Sequence, residues 1–186
     1  MWAPVYDDGL REGVDEFDVA GLVSPKMEVE VVLSFERPVP VGAGRQQIAS
    51  AVGWAALGYE IFDCHYPGWA LTPPDMVADF GCHAALVIGT RRRTTVEEVL
   101  ALSDLTITLR CDGEDVATGS GTDVLGGPVD AVCAVAREPR DGADSRGRRD
   151  HDGRADSEGP ASDRGTCWTA QAQASLSFDP ITVRLT

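Results

Sequence analysis

Three glutamates have the residue type and spacing for metal chemistry. Glu28 and Glu30 alternate with apolar residues in Pro25-Lys26-Met27-Glu28-Val29-Glu30-Val31-Val32, and Glu60 follows in Gly58-Tyr59-Glu60-Ile61-Phe62. Side chains alternate between the faces of a strand, so Glu28 and Glu30 share one face. If the fold brings Glu60 to them, the three carboxylates form an all-oxygen site for a hard divalent cation.

A simpler interpretation of this pattern stays open. Alternation of Glu and Val is also typical of an antiparallel strand that faces the core on one side and water on the other. The spacing alone favours that ordinary strand. The choice therefore depends on the rest of the chain.

Composition limits the class of protein. A chain of 186 residues, 43% of them hydrophobic, can form one domain or an incomplete piece of a larger one. A net charge of −14 argues against a nucleic-acid partner, because phosphate binding needs clustered Lys and Arg. No apolar run reaches the roughly 18 residues of a membrane span, and the acidic N-terminal region does not look like a secretory signal.

The five cysteines show no CxxC or Cys/His spacing that would suggest zinc. They are therefore predicted to be reduced thiols of a cytoplasmic protein, mostly in the core or incidental.

Hydrophobic periodicity predicts a β-rich chain with a few helices. The Asp112-Gly113 pair predicts a tight hairpin between two of the strands. Gly58 is predicted to cap the first helix. The predicted strands are residues 27–36, 59–62, 84–89, 105–111 and 116–119, and the predicted helices are residues 46–57, 73–80, 95–102 and 128–137.

Residues 137–165 differ from the rest of the chain. They contain no Val, Ile, Leu, Met, Phe, Tyr or Trp, so they cannot bury enough apolar surface to fold and are predicted to be disordered. The chain is thus divided into a domain over residues 1–136, the segment 137–165, and strands of the same domain over residues 166–186.

Four motifs in register resemble one family. They are the glutamate pair after Pro25, Tyr59-Glu60-Ile61-Phe62-Asp63-Cys64-His65-Tyr66, Asp75-Met76-Val77-Ala78-Asp79, and Thr118-Gly119 with Val124-Leu125-Gly126-Gly127-Pro128. Their order and spacing are similar to those of the 2-keto-4-pentenoate hydratases and 4-oxalocrotonate decarboxylases of the fumarylacetoacetate hydrolase superfamily. The resemblance implies an α+β, β-rich fold: a mixed β-sandwich or roll like the C-terminal domain of that superfamily.

The resemblance also implies residue roles. Glu28, Glu30 and Glu60 would bind Mg²⁺ or Mn²⁺, and the ion would chelate the carboxylate and 2-oxo oxygens of a short 2-oxo acid. His65 would contact the substrate carboxylate, with a structural role equally open, and Asp79 would order the site. Beyond these, His83 is expected to be structural, and the Lys26 side chain to point away from the positions next to Glu28 or toward solvent.

The implied activity is hydration of 2-hydroxypenta-2,4-dienoate, in its 2-oxo form, to 4-hydroxy-2-oxopentanoate in the meta-cleavage breakdown of aromatic compounds. Decarboxylation of 4-oxalocrotonate and hydrolysis of acylpyruvates are alternatives within the enzymes. The implied partners are the 2-oxo acid, further copies of the chain in a homo-oligomer, and a hydratase–decarboxylase complex.

Two departures from the family pattern favour another alternative, a catalytically inactive fragment with a structural role. Relatives carry a Gly-Tyr-Lys segment before the paired glutamates, and this chain begins after that point, so it resembles an N-terminally truncated member whose catalytic residue is unknown. Segment 137–165 also replaces a late family strand. Reading residues 149–157 one nucleotide later restores Val-Thr-Thr-Thr-Gly-Ala-Leu-Thr-Arg, which suggests a compensated frameshift.

Overall fold

The computed structural model describes residues 5–137, 162–173 and 177–186. Within these ranges the chain forms ten strands and four α-helices, joined by short 3₁₀ turns. The strands are β1 Leu10–Glu12, β2 Glu16–Phe17, β3 Pro25–Phe35, β4 Val52–Asp63, β5 His83–Ile88, β6 Arg92–Arg93, β7 Thr106–Cys111, β8 Glu114–Ser120, β9 Cys167–Gln173 and β10 Ile181–Leu185. The helices are α1 Arg45–Ala51, α2 Pro73–Ala78, α3 Val96–Leu100 and α4 Pro128–Arg137.

The strands form two sheets around a shared core. The first sheet has the order β1-β5-β4-β3, with β6 also paired to β4, and the second has the order β2-β10-β9-β7-β8. A single large cluster of buried residues draws on both sheets and includes Val31, Tyr59 and Trp168. The predicted α+β, β-rich sandwich is therefore confirmed.

Strand β3 follows the alternation seen in the sequence. Met27, Val29 and Val31 are buried in the main core, and Glu28 and Glu30 occupy the alternate positions. Burying β-branched and other large apolar side chains on one face stabilises this strand by about 1.5–3 kcal/mol per side chain.

The prediction of a helix over residues 46–57 is wrong for the second half of that range. Helix α1 ends at Ala51, and Val52 starts the twelve-residue strand β4. Strand β4 pairs with β3 along almost its full length and with β5 on its other side, and these tertiary contacts outweigh the helix propensity of its alanines.

Gly58 does not cap a helix, because it lies within β4 opposite Glu30. A Cβ atom at this position would lie 2.8 Å from Val32 Cγ2 and 3.0 Å from the Val87 carbonyl oxygen. The glycine is therefore required by the close approach of the neighbouring strands.

The helix predicted to continue through Phe80 stops at Ala78. Phe80, Gly81 and Cys82 then follow with φ values of 51°, 71° and 62°. Left-handed backbone costs a non-glycine residue roughly 1–2 kcal/mol, so the contacts of this turn must offset that cost.

The later elements match the sequence analysis closely. Asp112 and Gly113 have φ values of 51° and 90°, as a tight hairpin turn requires, and α4 spans Pro128–Arg137. Of the segment predicted to be disordered, Arg137 ends α4, and residues 162–165 form a turn in which Gly165 N donates to Leu185 O at 2.7 Å. The rest of that segment, 138–161, lies outside the described residues. No helix in the described ranges is long and apolar enough to cross a membrane.

Candidate metal centre

The register of β3 and β4 brings the three glutamates to one face of the first sheet. Glu28 pairs directly with Glu60, and Glu30 pairs with Gly58. Directly opposed residues of antiparallel strands point to the same face, with Cβ atoms about 4.5–5.5 Å apart. Glu60 therefore joins the face that Glu28 and Glu30 share, and this face points away from the main core.

The surroundings of the glutamates are partly apolar. Further along the same face, Val32 and Ala56 pack with Leu86 and Ile88 in a second, small cluster. Glu30 is only 6% exposed. A carboxylate buried to this extent is costly unless it is neutralised or hydrogen-bonded, and a bound cation is one group that would supply such neutralisation.

His83 holds one of the glutamates. Its Nδ1 lies 2.7 Å from Glu60 Oε1, and it donates to the carboxylate, which when ionised can only accept. Its Nε2 is buried with no hydrogen-bond partner among the described residues, and a Cβ at Gly9 would lie 3.1 Å from it. The contact is compatible with the structural role expected of His83, and its partner is a candidate ligand.

Nothing in the spacing of the sequence predicts the contact between His83 and Glu60. The pairing of β4 with β5 shifts by a β-bulge between Ile61 and Phe62, which places His83 opposite Phe62. Such a shift depends on the pairing of the two strands and is not encoded in the spacing of either one.

The carboxylates share a face without converging on one point. Among the described residues, the one group of three potential ligands whose donor atoms lie within 4.8 Å of one another is Cys64, Asp79 and Cys82. To bind one ion together, the three glutamate side chains would therefore have to adopt other rotamers. Their donor atoms, all carboxylate oxygens, fit Mg²⁺ or Mn²⁺.

Lys26 lies on the same face of β3 as the glutamates. Strand alternation puts it there, opposite Phe62, so the expectation that it points away from the neighbours of Glu28 is not met, while the alternative that it points toward solvent stays a prediction. Its Nζ lies 4.3 Å from the centroid of the Trp69 ring, and Trp69 Nε1 donates to Ser24 Oγ at 2.9 Å. This cation–π contact holds the ammonium group beside the strand.

His65 and Asp79 contact each other beyond the end of β4. The His65 backbone N lies 3.2 Å from Asp79 Oδ2, and its Nδ1 lies 2.7 Å from Oδ1. Burial acts to raise the pKa of Asp79, but the hydrogen bonds and charge of His65 outweigh it and hold that pKa below its usual value. The structure thus makes Asp79 an ionised partner of His65.

Comparison of the sequence with known proteins finds a consistent set of relatives, although no protein-family profile matches. A 4-oxalocrotonate decarboxylase of Pseudomonas sp. is 26% identical over 137 residues, which cover 74% of this chain and 52% of that protein. A 2-keto-4-pentenoate hydratase of Burkholderia vietnamiensis is 30% identical over 132 residues, which cover 70% of this chain and 48% of that protein. The chain spans about half the length of the curated relatives it matches.

Solved structures give the class of fold. The 4-oxalocrotonate decarboxylase from Pseudomonas putida G7, complexed with magnesium and adipate, matches with a TM-score of 0.78 and 22% identity over 97% of this chain and 67% of that one. The fumarylpyruvate hydrolase from Pseudomonas aeruginosa, in complex with Mn²⁺ and pyruvate, matches with a TM-score of 0.69 and 15% identity over 96% of this chain and 75% of that one. The chain has the fold of the fumarylacetoacetate hydrolase superfamily.

Within that superfamily, its sequence homologues are the 2-keto-4-pentenoate hydratases and 4-oxalocrotonate decarboxylases. The resemblance predicted from the four motifs is confirmed.

Proposed function

We propose that this chain forms the metal-binding part of a Mg²⁺- or Mn²⁺-dependent hydratase that acts on 2-hydroxypenta-2,4-dienoate in its 2-oxo form. The observation that carries the proposal is the direct pairing of Glu28 with Glu60, with Glu30 next to them on the same face. The names of the relatives support the substrate class, and the magnesium, calcium and manganese in related structures support the choice of ion.

The proposed roles differ between the glutamates, His83 and the apolar cluster. Glu28, Glu30 and Glu60 would hold the ion, which when bound supplies Lewis-acid stabilisation of the negative charge that develops on the substrate. His83 orients the Glu60 carboxylate through its 2.7 Å contact. The buried Glu30 and the apolar cluster beside it would keep water away from one side of the ion.

Two polar groups are proposed to face the substrate. The His65 side chain is 59% exposed and could bind a substrate carboxylate, while Asp79 orients its ring. Lys26 lies on the glutamate face and supplies a positive charge there.

Loss of the dienoate absorbance in the presence of Mg²⁺ or Mn²⁺ tests the proposal. Glu30→Gln should lower turnover at least ~100-fold, because charge stabilisation by the ion contributes several kcal/mol. Glu97→Gln, an exposed glutamate on α3, is the matched control and should keep turnover. Turnover that survives Glu30→Gln would contradict the assignment.

Decarboxylation of 4-oxalocrotonate is the second candidate, because relatives of both names match with similar identity. It needs the same ion and the same charge stabilisation. Release of carbon dioxide from 4-oxalocrotonate, without hydration of the dienoate, would favour it. Hydrolysis of an acylpyruvate is third, and the fold of fumarylpyruvate hydrolase supports including it in the same assay.

A structural role without catalysis is the remaining alternative. Normal Mn²⁺ binding without turnover of any of these substrates would favour it. We propose in addition that residues 1–136 and 166–186 form one unit, which is supported by the pairing of β9 with β7 and of β10 with β2.

We also propose a cytoplasmic homo-oligomer, with a hydratase–decarboxylase complex as the larger assembly. Five free thiols support the reducing compartment, and the exposed side chains of Val77 and Phe80 support burial in an assembly. Light scattering of the purified chain, alone and mixed with a decarboxylase relative, measures both assemblies.

A further inference from the structure

Two cysteines and an aspartate meet where β4 ends and β5 begins. Cys64 follows β4, Cys82 precedes β5, and Asp79 lies in the connection between these strands. The two Sγ atoms and a carboxylate oxygen all lie within 4.8 Å of one another. Both cysteines are buried. Because β4 and β5 are hydrogen-bonded neighbours, the connection must return Cys82 to the vicinity of Cys64.

The donor set differs in chemistry from the glutamate centre. Two thiolates and one carboxylate are ligands for Zn²⁺, whereas Mg²⁺ and Ca²⁺ prefer oxygen alone. Tetrahedral Zn²⁺ with Zn–S bonds of about 2.3 Å places two sulfurs roughly 3.8 Å apart. Donor separations below 4.8 Å therefore require only a small side-chain movement.

His65 supports the aspartate from outside the group. Its Nδ1 lies 2.7 Å from Asp79 Oδ1, and its backbone N lies 3.2 Å from Oδ2. A histidine that hydrogen-bonds a ligating carboxylate fixes the orientation of that ligand. His65 is thus a positioning residue for Asp79.

The backbone conformation of the turn places Cys82 beside Asp79. Three consecutive left-handed residues, 80–82, bring Cys82 Sγ to 3.6 Å from Asp79 Oδ2. Such backbone persists when the surrounding structure enforces it, and it is common at ligand sites. Burial, together with the neighbouring Cys64 thiol, raises the pKa of Cys82 to about 12, so binding of a metal ion to Cys82 would displace its proton.

We propose that Cys64, Asp79 and Cys82 bind Zn²⁺ at a structural site separate from the glutamate centre. The ion would fix the connection between β4 and β5, which also carries Trp69 against Lys26. This proposal goes beyond the sequence analysis, which found no CxxC or Cys/His spacing that would suggest zinc. Cys64 and Cys82 are adjacent only because β4 and β5 pair, and the number of residues between them matches no zinc motif.

Titration of the full chain with Co²⁺ and Cd²⁺, under a phosphine reductant, tests the site directly. One equivalent should give thiolate-to-metal charge-transfer absorption that survives a large excess of Mg²⁺ and the Glu30→Gln substitution. Cys64→Ser and Cys82→Ser should each abolish it. Cys133→Ser, which changes a buried cysteine on α4, is the matched control and should retain it.

His65 variants separate orientation of the ligand from general stability. His65→Ala should weaken Zn²⁺ binding about 10- to 100-fold, and His65→Asn, whose amide can replace the Nδ1 donor, should restore most of the affinity. If the cysteine variants do not fold, alkylation of the unmodified chain gives the answer, because Zn²⁺ should slow the alkylation of Cys64 and Cys82 relative to the metal-free chain and should leave the rate at the likewise buried Cys133 unchanged. Absence of the absorption, or its survival in Cys82→Ser, would overturn the proposal.

Discussion

At the scale of residues, two of the candidate ligands depend on a neighbour that the strand pattern does not reveal. Glu60 is oriented by His83, and Asp79 by His65. In both pairs a histidine nitrogen lies 2.7 Å from a carboxylate oxygen. Their substitution therefore tests the two sites independently.

His83→Ala should weaken Mn²⁺ binding about 10- to 100-fold, because the Glu60 carboxylate loses the donor that fixes its orientation. Isothermal titration measures the affinity without any assay of turnover. His83→Asn keeps a donor near Glu60 and should recover part of the affinity. Equal affinities in the Ala variant and the unchanged chain would show that Glu60 is not held in this way.

The Asp79 carboxylate should stabilise the fold in a pH-dependent manner. Its pKa is lowered in the folded state, so its contribution is fully present above the unfolded pKa of about 3.9 and is lost as the pH falls through the lower folded value. Asp79→Asn should reduce stability at pH 7 and flatten the loss of stability below about pH 4. Urea unfolding at both pH values measures this, and His65→Ala should show part of the effect, because it removes the Nδ1 donor and leaves the backbone N–H that also donates to Asp79.

At the scale of elements, the paired strands β3 and β4 determine the glutamate centre. One strand supplies two carboxylates by simple alternation, and the other supplies the third through register. A shift of one residue would turn Glu60 into the main core, so the site requires this single pairing.

Gly58→Ala tests the tightness of that pairing. The new Cβ would approach Val32 Cγ2 to 2.8 Å within a packed sheet, and we expect a loss of about 1–3 kcal/mol in the free energy of unfolding. Gly21→Ala, where a Cβ would meet nothing within 4 Å, is the control and should be close to neutral. The denaturant concentration at the unfolding midpoint is compared between the Gly58→Ala and Gly21→Ala variants. Equal midpoints would mean that β3, β4 and β5 can move apart without loss of stability.

At the scale of the whole molecule, the C-terminal strand joins distant parts of the chain. β10 pairs with β2 near the N-terminus and with β9 on its other side. Val183 and Leu185 are fully buried, and Thr186 N donates to Phe17 O at 2.9 Å. The second sheet therefore depends on residues 181–186.

Removal of residues 181–186 should prevent stable folding. Burial of Ile181, Val183 and Leu185 contributes about 1.5–3 kcal/mol each, a sum similar to the total stability of a typical domain. Circular dichroism and urea unfolding measure the loss. Arg184→Ala, an exposed side chain on the same strand, should stay within about 0.5 kcal/mol of the unchanged chain. A truncated chain with cooperative unfolding would contradict this.

The features that depend on local periodicity and turn chemistry were predictable from the amino-acid sequence. These are the β3 alternation of Glu28 and Glu30, the Asp112-Gly113 hairpin and helix α4, together with the family resemblance that follows from motif order. Tertiary structure alone decided that residues 52–57 form a strand, because pairing with neighbouring strands outweighs helix propensity. It also decided which side chains meet, placing His83 on Glu60 and Cys82 beside Cys64. Those contacts depend on register, a bulge and left-handed turn residues, which are properties of paired strands rather than of any single segment.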